Sequence, residues 1–558
     1  MATASRTVRA VLLGGAAVLL SGQAPPASPS SGTAVARPNI VVILADDMGF
    51  SDIGSYGGEI PTPNIDALAA RGLRFSQFYN AARCSPSRAS LLTGLYPHQA
   101  GLGHLEEVVV PGSRGLHGRL ETRAVTIAEV LHGAGYRTAI SGKWHVGNTH
   151  GVSPWTRGFD RSITPPLGGL YFPDQTTKNR TTLYIDGRAV PTSSPEVGRG
   201  YWYASDMFVH WGLRFAREAE AQSKPFFLYL PFTAPHFPLM APRADIARLR
   251  GRYAAGWDRM RRERFARQKA LGLFPQNARL TPRLPGSSPW STLNAADRAR
   301  FERIMEVYAA DVSRMDKAVG DLVAGLKRDG VFENTVILFL SDNGGNAEGG
   351  PWGVAEGQDL GGSHSRVFAG MNWAMLQNTP FSHFKHFTRE GGIATPLIVS
   401  WPRGIDPRLN GSLVRAPGHL IDIMPTLAQI AGATYPTTFQ GHTILPMAGR
   451  TMVPAFRGRM LTRATPLFWE HEGNRAVRDG RWKAVMRFGG EWQLYDLSRD
   501  PTETRVAVRH GTMLRHMAGE WEGWAAASDV DPWQERYDAG LKGPRQNWGG
   551  SAAEAEHP

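Results

Sequence analysis

The chain contains one cysteine, Cys84, among 558 residues. A single cysteine excludes an intrachain disulfide framework and a zinc site built from several cysteines. Long apolar runs are also missing: the run at residues 10–20 is too short to span a bilayer, and no other stretch is apolar enough to do so. The sequence has no internal repeat and no EF-hand loop. These absences leave a large globular protein as the expected class.

The net charge of +13 does not by itself indicate nucleic-acid binding, because no motif and no interleaving of basic and aromatic residues supports that function. Part of the charge is concentrated between Arg248 and Lys269, where nine Arg and Lys residues stand against Asp258 and Glu263. This run could attract an acidic substrate or a membrane surface. The alternative, which we favour, is the solvated face of an amphipathic helix.

The N-terminal 36 residues have the pattern of an export signal. Arg6 and Arg9 precede the apolar run, and a stretch rich in Pro and Ser follows it. We therefore expect residues 1–36 to be a signal peptide or leader, with the protein exported to the periplasm or secreted and no membrane span left once the signal is removed.

Four short apolar runs have the pattern of buried strands, and each is followed by polar residues that can carry chemistry. They cover residues 38–45, 136–141, 225–230 and 335–340. Helical patterns lie between them, at residues 62–72, 126–133 and 308–327. This alternation predicts an α/β fold with a large mixed, mostly parallel sheet sandwiched by helices. In such sheets ligands bind beyond the carboxyl ends of the strands.

The domain organisation follows from where this alternation is broken. We expect a catalytic domain over residues 37–460, interrupted by an insertion or lid at 240–296. Alternating strands around an Asp-Gly turn then predict a smaller antiparallel C-terminal subdomain at 461–542. The tail, residues 543–558, is expected to be disordered.

The polar residues at two of the strand ends form an all-oxygen set. Asp46 and Asp47 follow the first strand, and Asp342 and Asn343 follow the fourth. Hard divalent cations such as Ca²⁺ take oxygen ligands of this kind, and three carboxylates would repel one another without a cation. The sequence therefore predicts a cation site here.

Two further strand ends supply groups for anion binding and proton transfer. Lys143 and His145 lie two residues apart, so that in an extended segment they would point the same way. His236 lies on a constrained loop between Pro235 and Phe237, where an acid could be held. Lys385, which precedes a Gly-rich turn, is a further positively charged side chain that could bind an anion.

Cys84 opens a predicted helix that has Pro86 in its first turn and Arg88 further along. A helix N-terminus collects unpaired backbone N–H groups and a partial positive charge, so it suits an anion. The position of the only cysteine therefore indicates a chemical function.

The pattern Cys-x-Pro-x-Arg at residues 84–88, followed by Leu-Thr-Gly at 92–94, resembles the signature of the type I, formylglycine-dependent sulfatases of the alkaline phosphatase superfamily, in particular the bacterial arylsulfatases. Six further blocks of the family occur in the expected order. They lie at residues 39–49, 142–147, 234–238, 341–345, 385–392 and 396–402.

The resemblance implies a role for each candidate residue. Cys84 would be oxidised by a formylglycine-generating enzyme to formylglycine (3-oxoalanine), whose hydrated aldehyde is the nucleophile. One Ca²⁺ would be held by Asp46, Asp47, Asp342, Asn343 and the modified Cys84. Asp342 would help to deprotonate the attacking hydroxyl. Arg88 and Lys143 would stabilise the formylglycine and its developing charge. Lys385 would bind the sulfate and, with His236, protonate the leaving oxygen. His145 would accept the proton of the second hydroxyl as sulfate departs.

The expected reaction is hydrolysis of a sulfate monoester, with an aryl sulfate as the first candidate substrate and a sulfated carbohydrate as the second. A phosphonate monoester or phosphodiester hydrolase of the same superfamily is the alternative enzyme. A non-catalytic binder of sulfated ligands is the alternative from a different class. The segments at 240–296 and 362–373 are expected to select the organic part of the substrate.

Overall fold

The predicted mixed, mostly parallel sheet is present in the computed structural model, which describes residues 37–166, 168–175 and 181–534. The predicted leader (1–36), the tail (543–558) and the end of the predicted C-terminal subdomain lie outside the described residues. The main sheet has the strand order β12-β2-β11-β8-β1-β7-β3-β4-β5-β6, with β13 also paired to β2. Its strands are β1 (Asn39–Ala45), β2 (Leu73–Tyr79), β3 (Arg137–Ser141), β4 (Arg161–Thr164), β5 (Thr182–Ile185), β6 (Arg188–Pro191), β7 (Phe226–Pro231), β8 (Thr335–Ser341), β11 (Ala394–Ser400), β12 (Leu413–Val414) and β13 (Gly418–His419).

Parallel pairing is confined to the middle of this sheet and to one edge. β1 lies between β8 and β7 and is parallel to both, and β3 is parallel to β7 and β4. β11 runs antiparallel to β8 and β2, and β5 is antiparallel to β4. The fold class expected from the sequence is therefore confirmed.

Four shorter strands and a separate four-stranded sheet complete the β-structure of the described residues. The short hairpins are β9 (Val354–Glu356) with β10 (Arg366–Phe368), and β14 (Thr438–Phe439) with β15 (His442–Thr443). The separate sheet is antiparallel and consists of β16 (Leu467–His471), β17 (Asn474–Asp479), β18 (Trp482–Met486) and β19 (Trp492–Asp496).

Helices cover the main sheet on both sides, and the last helix of the described chain packs on the separate C-terminal sheet. The α-helices of the described residues are α1 (Pro63–Ala70), α2 (Cys84–Thr93), α3 (Ile127–Gly133), α4 (Ala204–Glu220), α5 (Arg243–Ala247), α6 (Gly256–Ala270), α7 (Ala295–Arg328), α8 (Met371–Gln377), α9 (Glu390–Ile393), α10 (Ile423–Ala431) and α11 (Gly511–Ala527). Among the described residues, no helix combines the length and the apolar character that a membrane crossing requires.

The two faces of β1 show why the sheet is sandwiched. Val41 and Ile43 point into one buried apolar core, whereas Val42 and Leu44 point into the other. Because side chains alternate along a strand, an uninterrupted apolar run requires cover on both faces. Helices α1, α4 and α7 pack together on one face, and α2, α3 and α10 pack on the other.

The segment 240–296, predicted as an insertion or lid, contains α5 and α6 and runs to the start of α7. Its basic run is not solvated throughout, which corrects the expectation from composition. Arg261 and Arg264 of α6 are buried, and Arg264 pairs with Asp52 at 2.8 Å and Glu59 at 2.6 Å. These pairs anchor α6 to the loop after β1, and the designation as an insertion or lid stays a prediction.

The C-terminal sheet confirms the predicted antiparallel pattern and adds one strand to it. β17 and β18 pair Asp479 with Trp482, which leaves a two-residue turn. Gly480 in that turn has φ of +52°, a conformation that favours glycine. β16 was not foreseen as a separate strand. The boundaries assigned to the domains stay predictions.

Candidate active site

The paired strands β1 and β8 bring four of the predicted site residues together. Ala45 and Ser341, the last residues of these strands, are register partners, so that the residues after them emerge side by side. The Asp47 backbone N–H donates to Asp342 Oδ1 at 3.2 Å, and the Asn343 amide donates to Asp47 Oδ1 at 2.7 Å. All four side chains are fully buried. The oxygen set predicted from the sequence is thus assembled at one edge of the sheet.

The next strands on the other side of β1 add a cation and an imidazole. Lys143, after β3, places Nζ 2.8 Å from Asp46 Oδ2. His236, in the loop after β7, has Nε2 3.5 Å from Asp47 Oδ2.

Helix α2 supplies Cys84 and Arg88, and all of its residues are buried. Cys84 Sγ lies 3.9 Å from Asp47 Oδ1. The Arg88 guanidinium donates to Asp342 Oδ2 from Nη2 at 2.8 Å and from Nε at 3.1 Å, and its Nη1 donates to the Lys143 carbonyl at 3.0 Å. Arg88 therefore ties the helix to both neighbouring strand ends.

Lys385 reaches the same carboxylates from the loop between α8 and α9. Its Nζ lies 2.8 Å from Asp47 Oδ1 and 3.9 Å from Glu348 Oε1. Although burial opposes its charge, the Asp47 carboxylate raises the pKa of Lys385 above its usual value. The ammonium is therefore retained in the buried site.

The carboxylates respond differently to this environment. Burial favours the neutral form of each, but Lys143 holds the pKa of Asp46 well below its usual range, and Lys385 lowers the pKa of Asp47. Burial, reinforced by the charge of Asp46, raises the pKa of Asp342 to about 7, although Arg88 opposes this shift. Repulsion between the carboxylates is therefore not fully relieved by the side-chain cations.

The donor set fits a hard divalent cation. Asp46 and Asp47 place carboxylate oxygens within 4.8 Å of each other, in a group that also includes Cys84 Sγ and a ring nitrogen of His236. Asn343 Oδ1 is buried and has no hydrogen-bond partner, so one amide oxygen in the cluster is free to bind a ligand. Carboxylate and amide oxygens are the ligands that Ca²⁺ prefers.

His145 follows Lys143 by two residues, but strand alternation does not describe how its side chain is placed. The segment after β3 is not extended, because His145 has φ of +59°. Its Nε2 faces Glu107 Oε1 at 3.6 Å, and its Nδ1 is buried without a hydrogen-bond partner. Asp47 also has a positive φ, of 71°. Such conformations are uncommon outside glycine and cluster at functional sites.

Sequence reasoning missed the residues that support Lys385 and Cys84. Asn346 donates to Asp47 and lies beside Glu348. Arg83, next to Cys84, pairs with Glu348 Oε1 at 2.6 Å. The only sequence signal for Asn346 and Glu348 was that they are polar residues a few positions after Asn343.

A group of histidines connects this support to the C-terminal sheet. His386 faces Glu348 Oε1 at 3.1 Å from Nε2 and Glu472, in the β16–β17 turn, at 2.9 Å from Nδ1. His104 also contacts Glu472, at 3.1 Å from Nε2. Since the Leu105 backbone N–H donates to His104 Nδ1 at 2.7 Å, Nε2 carries the His104 proton. We therefore interpret this group as a hydrogen-bonded network.

Comparison with known proteins gives consistent relatives. The family model described as Sulfatase matches residues 38–433, and the model described as N-sulphoglucosamine sulphohydrolase, C-terminal, matches residues 381–517. An uncharacterized sulfatase of Schizosaccharomyces pombe is 35% identical over 531 residues, covering 88% of this chain and 94% of that protein. The arylsulfatase of Klebsiella aerogenes is 36% identical over 433 residues, covering 74% of this chain and 90% of that protein.

A solved structure gives the same result for the fold. The crystal structure of Ps i-CgsB in complex with k-i-k-neocarrahexaose matches with a TM-score of 0.66 and 28% sequence identity. The match covers 91% of this chain and 98% of that one.

Proposed function

The chain belongs to the sulfatase family of the alkaline phosphatase superfamily and is a hydrolase of sulfate esters; on that premise we propose that it cleaves aryl sulfates, with a formylglycine made from Cys84 as nucleophile and one Ca²⁺ as cofactor.

The observation that carries the proposal is the environment of Cys84. The thiol lies at the start of α2, 3.9 Å from a carboxylate that Lys385 also binds. Burial raises the pKa of Cys84 to about 12. At neutral pH the side chain is therefore a neutral thiol, and a neutral thiol is a poor nucleophile. A buried thiol placed among an acid, a base and fixed cations fits a precursor that is oxidised before it acts.

The residues that would hold Ca²⁺ are Asp46, Asp47, Asp342 and Asn343, together with the oxidised Cys84. Ca²⁺ held by these residues would supply positive charge that stabilises the negative charge of the sulfate and of the deprotonated nucleophile. Arg88 keeps Asp342 oriented through its paired N–H groups, and Asp342 accepts a proton from the attacking hydroxyl.

Proton transfer and anion binding fall to the remaining residues. Lys385 binds a sulfate oxygen and, with His236, protonates the leaving oxygen, on which negative charge develops as the S–O bond breaks. Lys143 adds a second ammonium at the nucleophile. His145 accepts the proton that must be removed when sulfate is released.

Two findings support an aryl group as the organic part. The relatives include an arylsulfatase, and the partly buried ring of Phe237 lies 5.7 Å from the Lys385 ammonium, beside His236. A sulfated carbohydrate is the second candidate, because the similar Ps i-CgsB structure contains an oligosaccharide. We also propose export through the leader at residues 1–36, and maturation by a formylglycine-generating enzyme.

The decisive experiment measures release of 4-nitrophenol from 4-nitrophenyl sulfate by protein co-expressed with a formylglycine-generating enzyme. We expect turnover in the wild type and none in Cys84→Ala, with conversion of Cys84 to the aldehyde verified by mass spectrometry. A chelator should abolish turnover, and added Ca²⁺ should restore it.

The possible failures separate the parts of the proposal. Absence of turnover despite a verified aldehyde would contradict the aryl specificity, and sulfated sugars and phosphonate esters would be tested next. Full activity in Cys84→Ala would contradict the nucleophile. Binding of sulfate esters without turnover of any of them would indicate a non-catalytic binder.

A further inference from the structure

Three rings lie in a row at the side of the active site. The ring centroids of His236 and Phe237 are 4.3 Å apart with an angle of 24° between the planes. Those of Phe237 and Phe368 are 4.6 Å apart with an angle of 29°. Both spacings are at the short end of the range for interacting rings. The imidazole is therefore backed by a continuous aromatic stack that ends on strand β10.

The backbone around His236 is held independently of this stack. Tyr171 donates from its hydroxyl to the carbonyls of Thr233, at 3.0 Å, and of His236. His236 Nδ1 lies 2.6 Å from the Phe237 carbonyl oxygen, to which it donates. These contacts leave Nε2 as the ring nitrogen that faces Asp47 and the reacting groups. The remaining freedom is rotation of the ring, which the face of Phe237 restricts.

Phe368 is itself fixed against the loop that carries His236. The Leu239 backbone N–H donates to the Val367 carbonyl at 2.8 Å, which joins the β9–β10 hairpin to this loop. A Cβ atom added at Gly349 would lie only 2.9 Å from Cβ of Phe368, so the close packing on the other side requires glycine. The hairpin therefore holds its phenyl ring in a defined position.

We propose that Phe237, backed by Phe368, is a positioning residue that holds the His236 ring in the orientation needed to protonate the leaving oxygen. This inference rests on the proposed function. In the step concerned, the attacking hydroxyl oxygen bonds to sulfur as the S–O bond of the ester breaks, and the electron pair of the broken bond stays on the leaving oxygen. The doubly protonated His236 ring passes its Nε2 proton to that oxygen. His236 is left as the neutral tautomer with its proton on Nδ1, the tautomer that the Phe237 carbonyl favours.

This role has a consequence that a purely structural role would not have. A weakly basic leaving group such as 4-nitrophenolate departs with little help from an acid, whereas the more basic phenolate depends on protonation. Loss of the stack should therefore slow phenyl sulfate more than 4-nitrophenyl sulfate. A general loss of folding or of sulfate binding would slow both equally.

The test compares kcat/KM for these two substrates in Phe237→Leu and Phe368→Leu, with the aldehyde at position 84 verified in each protein. We expect phenyl sulfate to lose roughly tenfold more than 4-nitrophenyl sulfate in Phe237→Leu, a part of the 10²–10⁴ that a general acid contributes. Phe368→Leu should show a smaller loss of the same kind. Phe237→Tyr, which keeps the ring, should restore the wild-type ratio.

Two controls make the outcome specific. His510 is exposed and its ring lies 4.7 Å from that of Trp482 in the separate C-terminal sheet, so His510→Leu should leave both rates unchanged. In a His236→Ala background, Phe237→Leu should cause no further substrate-dependent loss. An equal loss on both substrates in Phe237→Leu would overturn the inference. Absence of turnover in the wild type would instead contradict the proposed function.

Discussion

Two buried clusters of charge lie near the end of β1 and differ in how completely they are paired. The strand-end cluster consists of Asp46, Asp47, Asp342 and Asn343 with Arg88, Lys143 and Lys385. The α6 cluster consists of Asp52, Glu59 and Arg264. Both are built mainly from fully buried side chains.

In the α6 cluster one guanidinium satisfies both acids. Arg264 donates from Nη1 to Asp52 at 2.8 Å and from Nη2 to Glu59 at 2.6 Å, while Nε bonds the second oxygen of Glu59 at 3.0 Å. Asp52 accepts two further bonds, from the Gly49 N–H and the Tyr308 hydroxyl. This cluster is closed, and its function is to anchor α6.

The strand-end cluster is not closed in this way. Asn343 Oδ1 has no hydrogen-bond partner, whereas a carboxyl pKa raised by burial is common to both clusters, to about 7 for Asp342 and about 6 for Asp52. Burial and ion pairing are therefore common to both clusters and do not by themselves mark function. The distinguishing feature is the unpartnered amide oxygen of Asn343, which lies where two adjacent strands end.

The difference in function between the two clusters is tested most directly by one substitution in each cluster. Asp47→Asn should lower kcat/KM for the sulfate ester by roughly a thousandfold, because it removes a charge from the groups that act on the reacting centre. The same change at Asp52, Asp52→Asn, should keep kcat/KM within about tenfold. The assay is initial rates on 4-nitrophenyl sulfate, with circular dichroism to verify folding. Equal losses in the two variants would show that the clusters do not differ in function.

The complementary substitution removes the cation of the closed cluster. Arg264→Met should lower the free energy of unfolding by about 3–5 kcal/mol, because buried Asp52 is left without a cation and Glu59 keeps only Arg267, at 3.2 Å. Arg262, exposed on the same helix, is the matched control, and Arg262→Met should change that free energy by no more than about 0.5 kcal/mol. Denaturant titration measures both values. A stable Arg264→Met protein would remove the anchoring role assigned to this cluster.

A smaller effect is expected in the pH dependence of the free energy of unfolding, which tests the closed cluster further. Burial raises the pKa of Asp52 from its ordinary 3.8 to about 6, against the effect of Arg264. The folded state then holds this proton more tightly than the unfolded chain. The stabilising contribution of Asp52 to the free energy of unfolding is therefore present below pH 4 and is lost as the pH rises through 6.

Asp52→Asn removes this titration. The stability difference between wild type and this variant should therefore favour the wild type more at pH 4 than at pH 7, by on the order of 2–3 kcal/mol. Thermal unfolding at the two pH values provides the measurement. A difference that does not vary with pH would show that Asp52 does not titrate in this range.

Much of the fold was predictable because its signals are local. The uninterrupted apolar runs of β1, β7 and β8 required cover on both faces, and an Asp-Gly turn between alternating runs predicted the β17–β18 hairpin. β16 was missed since nothing in its own pattern separates it from the loop before it. The burial of Arg264 was also missed, because its partners at Asp52 and Glu59 are about 200 positions away along the chain.

The candidate site divides in the same way. Asp46, Asp47, Asp342 and Asn343 could be selected from the sequence because the carboxyl ends of adjacent parallel strands meet at one edge of a sheet. The contacts through which Arg83, Asn346 and Glu348 support the site could not be predicted from the sequence, because polar side chains in loops have no periodic pattern.

The sequence by itself determined the chemical inventory of this protein: one cysteine at a helix start, carboxylate, amide, lysine and histidine side chains after strands, and the ordered blocks of the sulfatase family. Only the tertiary structure decided which charges pair and which stay open. It set Lys143 on Asp46 and Lys385 on Asp47, turned His145 through a left-handed φ toward Glu107, and stacked Phe368 behind Phe237 and His236. The physical reason is that residue type and local period are properties of neighbouring positions, whereas pairing depends on distances between segments that only the folded chain brings together.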